Sequence, residues 1–233
     1  MKELINKVWY FEQFDLLKEM PEPLMEKIND DSSIHTNYKK EVIYLQGDPS
    51  DYIYFLKKGR VKISKSAEEG KETTLYVVNP GELFGELSLV DAGKRTHRAE
   101  ALDDDVLVCS FNKNKFLEII GSHPELARQV YKRMGERMQV IEKKLSDLIF
   151  MTSEDRILSF LLEVGEPHLK KSVDEAYIKP FFTHEEIAHL TATSRQTVTT
   201  VLNELKKEEI IHFGRNKMYI KQFSTLKNKL EKK

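Results

Sequence analysis

Between Lys40 and Phe111 the apolar positions fall in short runs: Val42-Ile43-Tyr44-Leu45, Tyr52-Ile53-Tyr54-Phe55-Leu56, Val61-Lys62-Ile63, Thr74-Leu75-Tyr76-Val77-Val78 and Val106-Leu107-Val108. β-Branched and aromatic residues dominate them, and Gly47-Asp48-Pro49, Lys58-Gly59, Glu69-Gly70 and Pro80-Gly81 separate them. Short strands with glycine-marked turns predict a β sandwich or barrel of about seventy residues. Ahead of it, residues 4–31 mix aromatics and acids, and Pro21 and Pro23 break them into short helical pieces. Cys109 falls in a predicted strand, Val106–Phe111, as a small buried hydrophobe.

From Pro124 to Phe150 the period changes. Leu126, Val130, Met134, Met138, Ile141, Leu145 and Leu148 recur in steps of four and three, one stripe along a helix. At 1.5 Å per residue that helix is about 40 Å long, more than a small β domain can cover. Either its own β domain covers the whole stripe or the same helix of a second copy does, and the length favours the second copy. Thr152-Ser153-Glu154-Asp155 resembles a capping box and predicts a new helix from 153 to about Glu163, with Phe150-Met151-Thr152 as the hinge. Gly165 to Pro180 shows no pattern and is read as a loop.

Thr183–Leu205 reads THEEIAHLTATSRQTVTTVLNEL. Thr183 and Glu186 form a capping box for a short helix whose buried side is Ile187 and Leu190. Thr191-Ala192-Thr193 is a turn, and Ser194 caps the next helix. On that helix Val198, Val201, Leu202 and Leu205 make one buried face. Arg195, Gln196, Thr199, Thr200 and Asn203 lie opposite; all can hydrogen-bond and none is acidic. A solvated face would carry Glu and Lys, whereas this set suits base edges in a major groove: Arg to guanine, Gln to adenine, Thr to edges or methyl groups. With Thr183 and His184 at the start of the preceding helix, these residues predict a helix-turn-helix on double-stranded DNA. Ile210–Ile220 follows as a hairpin with Arg215 and Lys217 at a basic tip, a wing for the phosphate backbone.

Charge sharpens this picture. The 233 residues carry a net charge of -1, which excludes a polycation. From Ser194 onward, however, ten Lys/Arg face four Asp/Glu, a net +6 that leaves -7 on residues 1–193. The basic part therefore begins at the predicted recognition helix. A single cysteine excludes an iron–sulfur cluster; haem stays open, since one histidine can be an axial ligand, although His35, His97, His123 and His168 have no distinguishing context. No metal site is expected. No apolar stretch reaches membrane-spanning length and no signal peptide is expected, so the location expected is the cytoplasm. No Ser/His/Asp pattern, Walker-type GKS or GKT, or His–Glu zinc motif is present, so an enzyme is not expected.

Phe84–Ala99 reads FGELSLVDAGKRTHRA. Gly85 lets backbone N–H groups approach an anion, Leu87 and Leu89 anchor a short helix, Arg95 suits a phosphate, and Glu86 can accept from a sugar hydroxyl. With Gly47-Asp48 and Asp51, YIYFLKKGRVKI (Tyr52–Ile63), Glu69-Gly70-Lys71-Glu72, Pro80-Gly81, Arg95-Thr96, the long helix and Ser194–Val198, the chain resembles the CRP/FNR superfamily of bacterial transcription regulators over about residues 10–225. The resemblance implies an α+β fold with three parts: a β-roll sensor over residues 1–123, a dimerisation helix over 124–150, and a winged helix-turn-helix over 151–233. It implies a homodimer on a pseudo-palindromic operator, with RNA polymerase as a further partner. In the cyclic-nucleotide-binding members the residues matching Gly85, Glu86, Ser88, Arg95 and Thr96 hold ribose and cyclic phosphate.

The sequence departs from that pattern where the base is read. With Phe150 set on the family's hinge phenylalanine, Ile141 and Glu142 fall where CRP-like members place small hydroxyl residues. The candidate effector-binding set is then Gly85, Glu86, Leu87, Ser88, Arg95, Thr96, Ile141 and Glu142. Three expectations stand for the sensor: a cyclic nucleotide with different base contacts, another small anionic ligand, or no effector and a constitutive regulator. A cyclic-nucleotide-binding module of an enzyme or channel is the rival from another class. On DNA, Gln196 in place of the family's glutamate predicts a different half-site that keeps a guanine for Arg195.

Overall fold

The computed structural model describes residues 22–66, 72–90 and 93–231. The helical pieces expected before Pro21, the Glu69-Gly70 turn with Lys71, and Asp91-Ala92 lie outside the described residues. The chain divides into two compact units, Met1–Gln139 and Val140–Lys233. The boundary thus falls inside the long helix, where the sequence suggested a three-part division.

In the first unit, helix α1 (Glu22–Asp30) precedes strands β1 (Ser32–Asn37), β2 (Val42–Tyr44), β3 (Tyr52–Lys58), β4 (Val61–Ser66), β5 (Glu72–Val78) and β6 (Leu83–Phe84). A 3-10 turn (Glu86–Leu89), β7 (Arg98–Ala101), β8 (Val106–Asn112) and helices α2 (Lys113–Ser122) and α3 (Pro124–Phe150) follow. The strands form two antiparallel sheets, ordered β1-β8-β3-β6 and β2-β7-β4-β5. Strands β3 and β8 are apolar on both faces because both faces are covered. Leu56, Val106 and Val108 pack with Val61, Ile63 and Ala99 in one core. Ile53, Phe55, Cys109 and Phe111 pack with Phe116, Ile119, Leu126 and Val130 of the helices in the other. The Phe116 ring meets Phe55 and Phe111 edge-on, with centroids 5.9 and 5.7 Å apart. Cys109 is buried, and its neighbours are those of a core residue.

The first unit's own core takes up one end of the apolar stripe of α3, which removes Leu126 and Val130 from the expected dimerisation set. Leu126 and Val130 are consumed by the protomer's own core, and Met134 packs against its edge. Met138, Ile141, Leu145 and Leu148 remain 48–63% exposed. Periodicity finds a stripe but not what covers it.

In the second unit, Thr152 opens α4 (Ser153–Gly165) through a complete capping box with Asp155. Next come a 3-10 turn (Glu166–His168), β9 (Leu169–Lys170), β10 (Glu175–Ile178), α5 (His184–Leu190), α6 (Arg195–Lys207), β11 (Ile211–Gly214), β12 (Lys217–Ile220) and α7 (Phe223–Glu231). The expected patternless loop from Gly165 to Pro180 thus holds two strands, and the wing hairpin belongs to a sheet ordered β11-β12-β10-β9. Ala176 and Ile178 of β10 join Ile157, Leu161, Val198, Leu202, Met218 and Ile220 in one core.

Candidate effector cleft and nucleic-acid interface

Strand β6 delivers Gly85 to the start of the 3-10 turn with φ 76 and ψ 12, a left-handed conformation suited to glycine. A Cβ there would come within 2.8 Å of Arg95 Nη1. The close approach has a purpose: Arg95 Nη1 donates to the Gly85 carbonyl at 3.3 Å, and Nη2 donates to the Tyr52 carbonyl. The guanidinium lies over the rings of Tyr44 and Tyr54, 4.3 and 5.3 Å from their centroids. Burial, the largest effect, raises the pKa of both phenols, so these rings meet Arg95 uncharged.

Around this point a cleft opens, bounded by Tyr44, Ser50, Tyr76, Gly85–Ser88 and Lys94–His97. The structure therefore brings together Gly85, Glu86, Leu87, Ser88, Arg95 and Thr96. Glu86, Ser88 and Arg95 are buried, whereas Leu87 and Thr96 are exposed. Three buried polar atoms here, Glu86 Oε2, Ser88 Oγ and Arg95 Nε, have no hydrogen-bond partner among the described residues. An unpaired buried polar group costs roughly 1–3 kcal/mol, so three in one cleft fit a polar ligand that supplies a hydroxyl and an anion. Ile141 and Glu142, assigned to the base, stand exposed on α3 and belong to the second unit. All residues bounding the cleft lie between 44 and 97.

Arg137 is the residue that sequence reasoning missed. From α3 its Nη1 donates to Glu86 Oε1 at 2.6 Å, its Nη2 donates to the Leu83 carbonyl at 3.0 Å, and its guanidinium covers the Tyr76 ring at 4.4 Å. Burial alone would lower its pKa, yet the Glu86 carboxylate helps hold it above the ordinary arginine value. Its partner lies 51 residues away, so no local spacing announces the pair.

In the second unit, Thr183 and Glu186 close the expected capping box: Glu186 N donates to Thr183 Oγ1 at 3.2 Å and Thr183 N donates to Glu186 Oε2 at 2.7 Å. Ile187 and Ala188 are the buried side of α5, while Leu190 is only half-buried. Ser194 caps α6 by accepting from Thr197 N at 3.0 Å. Val198, Val201, Leu202 and Leu205 are buried, and Arg195, Gln196, Thr200 and Asn203 are exposed on the other side. Thr199 is half-buried and bonded to His184, which lies at the start of α5. At the wing tip Arg215 and Lys217 are exposed, and Asn216 takes φ 58 to turn the hairpin.

Arg156 of α4 ties the turn between α5 and α6 in place. Its guanidinium donates to the carbonyls of Thr191 at 2.8 Å, Ala192 at 3.0 Å and Met151 at 2.9 Å, joining the turn between α5 and α6 to the hinge. Arg156→Met is expected to destabilise the second unit by about 2 kcal/mol, because charge-assisted bonds are lost and carbonyls are stranded. Chemical denaturation followed by far-UV circular dichroism would measure it.

Two family models match the chain: a cyclic nucleotide-binding domain over residues 36–123 and a Crp-like helix-turn-helix domain over residues 155–229. A CRP-like cAMP-activated global transcriptional regulator of Mycobacterium tuberculosis is 31% identical over 160 residues, 69% of this chain and 71% of that protein. The cyclic AMP receptor protein of Thermus thermophilus is 31% identical over 186 residues, 79% of this chain and 82% of that protein. Among solved structures, a CRP/FNR-family transcriptional regulator from Thermus thermophilus superposes with a TM-score of 0.67 at 28% identity, covering 85% of this chain and 98% of that one. FixK2 from Bradyrhizobium japonicum shares the fold with a TM-score of 0.73 at 22% identity, covering 84% of this chain and 96% of that one.

Proposed function

The chain belongs to the CRP/FNR superfamily of DNA-binding transcription regulators, and from that premise we propose that it is a homodimer whose affinity for a pseudo-palindromic operator is set by a cyclic nucleotide in the cleft of the first unit. The observation that carries the effector is the group of unpaired buried atoms, Glu86 Oε2, Ser88 Oγ and Arg95 Nε, beside a glycine pressed against Arg95. A cyclic nucleotide brings a matching set. Its phosphate takes charge-assisted bonds from Arg95 and a bond from Ser88, and its ribose hydroxyl donates to Glu86. Arg137 shares Glu86 with the ligand, so occupancy of the cleft is felt on α3. A ligand shifts a two-state equilibrium only through differential affinity, and the Glu86–Arg137 contact is where that difference would arise. The names of the relatives, cAMP-activated regulator and cyclic AMP receptor protein, support the same ligand class.

Dimerisation follows from the free part of α3. Tyr131, Met138, Ile141, Leu145 and Leu148, with half-buried Met134, step by three and four residues, the spacing of a coiled-coil seam. Two such seams bring two reading heads to half-sites about one helical turn apart. RNA polymerase is the further partner of a regulator so placed, and the compartment is the cytoplasm. Met138→Glu combined with Leu145→Glu is expected to halve the particle mass to that of one 27.2 kDa chain. Light scattering after gel filtration would check this.

Isothermal titration of the full chain with cyclic AMP and cyclic GMP tests the effector. Saturable binding that Arg95→Gln abolishes is expected. Absence of heat with either nucleotide, together with specific operator binding by the ligand-free protein, would favour the effector-independent regulator.

A further inference from the structure

The two adjacent threonines of the recognition helix are not equivalent. Thr199 Oγ1 donates its hydrogen to the Arg195 carbonyl at 2.9 Å. The same oxygen lies 2.9 Å from His184 Nδ1. A hydroxyl has one hydrogen, so the second bond is closed by a proton on His184 Nδ1. The imidazole is held edge-on against Phe213 of β11, with centroids 5.5 Å apart and planes at 66°. Burial and the neighbouring Arg195 keep the ring's pKa below its ordinary value, which suits a neutral imidazole protonated on Nδ1. The Thr199 hydroxyl therefore has no donor left for a base. The Thr200 hydroxyl, on an exposed residue one position along, has no partner among the described residues. With its one hydrogen on the Arg195 carbonyl and one of its two lone pairs taken by His184, the Thr199 hydroxyl has a single acceptor site left, and the larger group Thr199 can offer the groove is its γ-methyl. Only thymine presents a methyl group, at C5, on its major-groove edge.

We propose that Thr199 reads thymine through its γ-methyl group, and that His184 is the positioning residue that fixes this orientation by holding the hydroxyl from behind. The inference rests on the groove-reading role of α6 and deepens it by naming a base. Arg195, one turn earlier on the same face, supplies the guanine contact, so the thymine falls near that guanine in each half-site. Thr200 keeps its hydroxyl for hydrogen-bonding edges.

The test is a selection on random duplex DNA with the full chain, with and without cyclic AMP, followed by a uracil scan of the selected operator. Replacing one thymine by uracil removes only the C5 methyl. At one position per half-site this is expected to weaken wild-type binding roughly fourfold, the worth of one buried methyl-sized group. Thr199→Val keeps the methyl and retains that sensitivity. Thr199→Ser binds the thymine and uracil forms alike at that position, while Thr200→Ser leaves the sensitivity unchanged. His184→Ala loses the discrimination and His184→Gln, whose amide can still donate to the hydroxyl, restores it. A stability defect alone would not alter a thymine-to-uracil ratio. Sequence-specific binding with a flat uracil scan, or a sensitivity that survives Thr199→Ser at every position, overturns the proposal. Recovery of no preferred sequence overturns the groove-reading role of α6 itself, and the methyl contact with it.

Discussion

Replacing Arg137 with alanine is expected to lower the stability of the first unit by about 3–5 kcal/mol, the usual cost of leaving one partner of a buried ion pair alone. Glu86 is almost wholly buried, and one of its carboxylate oxygens already has no partner. Removing the 2.6 Å contact from Arg137 would leave both oxygens unpaired, strand the Leu83 carbonyl and uncover the Tyr76 ring. For a unit of this size the melting transition should fall by roughly 10 °C. Arg137→Met combined with Glu86→Leu should regain most of the loss, because a buried pair replaced by apolar residues of similar volume is often neutral. Differential scanning calorimetry of the three proteins decides it; a single variant melting with the wild type would contradict the buried-pair account. The double variant should still lose cyclic nucleotide binding, which separates the two roles of Glu86.

Arg195→Ala is expected to weaken operator binding by about 1–3 kcal/mol, or roughly 5- to 150-fold, with little change on random DNA. Arg195 is the first residue of α6 and is exposed, and the N-terminal residues of a recognition helix reach the base edges. Nonspecific attraction is spread over Lys206, Lys207, Arg215, Lys217 and the later lysines, so the loss of one charge changes it little. Fluorescence anisotropy at fixed salt, with operator and scrambled duplexes, gives both numbers. Equal losses on the two duplexes would mean that Arg195 only positions the protein on phosphates.

The sequence made legible those parts whose chemistry is local. The Thr183–Glu186 and Thr152–Asp155 caps are four-residue patterns, and both form as their spacing predicts. The buried face of α6 follows from the positions of Val198, Val201, Leu202 and Leu205. Strands β3, β4, β5 and β8 follow from their apolar, β-branched runs. Strand β1, SSIHTN, escaped because its polar residues alternate with few apolar ones, and it is held by pairing with β8. Strands β9 and β10 have two and four residues, too few for a period to show. In the cleft, Gly85–Ser88 and Arg95-Thr96 were legible as a phosphate-suited string. The Tyr44 and Tyr54 rings under Arg95, and Arg137 on Glu86, were not, since they meet only when the sheets and α3 fold together. The division of the α3 stripe between the core and its exposed end was hidden for the same reason.

The most direct measurement is the affinity of the full chain for its selected operator with and without saturating cyclic nucleotide, read by fluorescence anisotropy beside a scrambled duplex. A cyclic nucleotide is predicted to tighten operator binding at least tenfold, to leave scrambled DNA unchanged, and to have no effect on the Arg95→Gln protein. An operator affinity that is the same with cyclic AMP, with cyclic GMP and with neither would contradict a nucleotide-gated regulator.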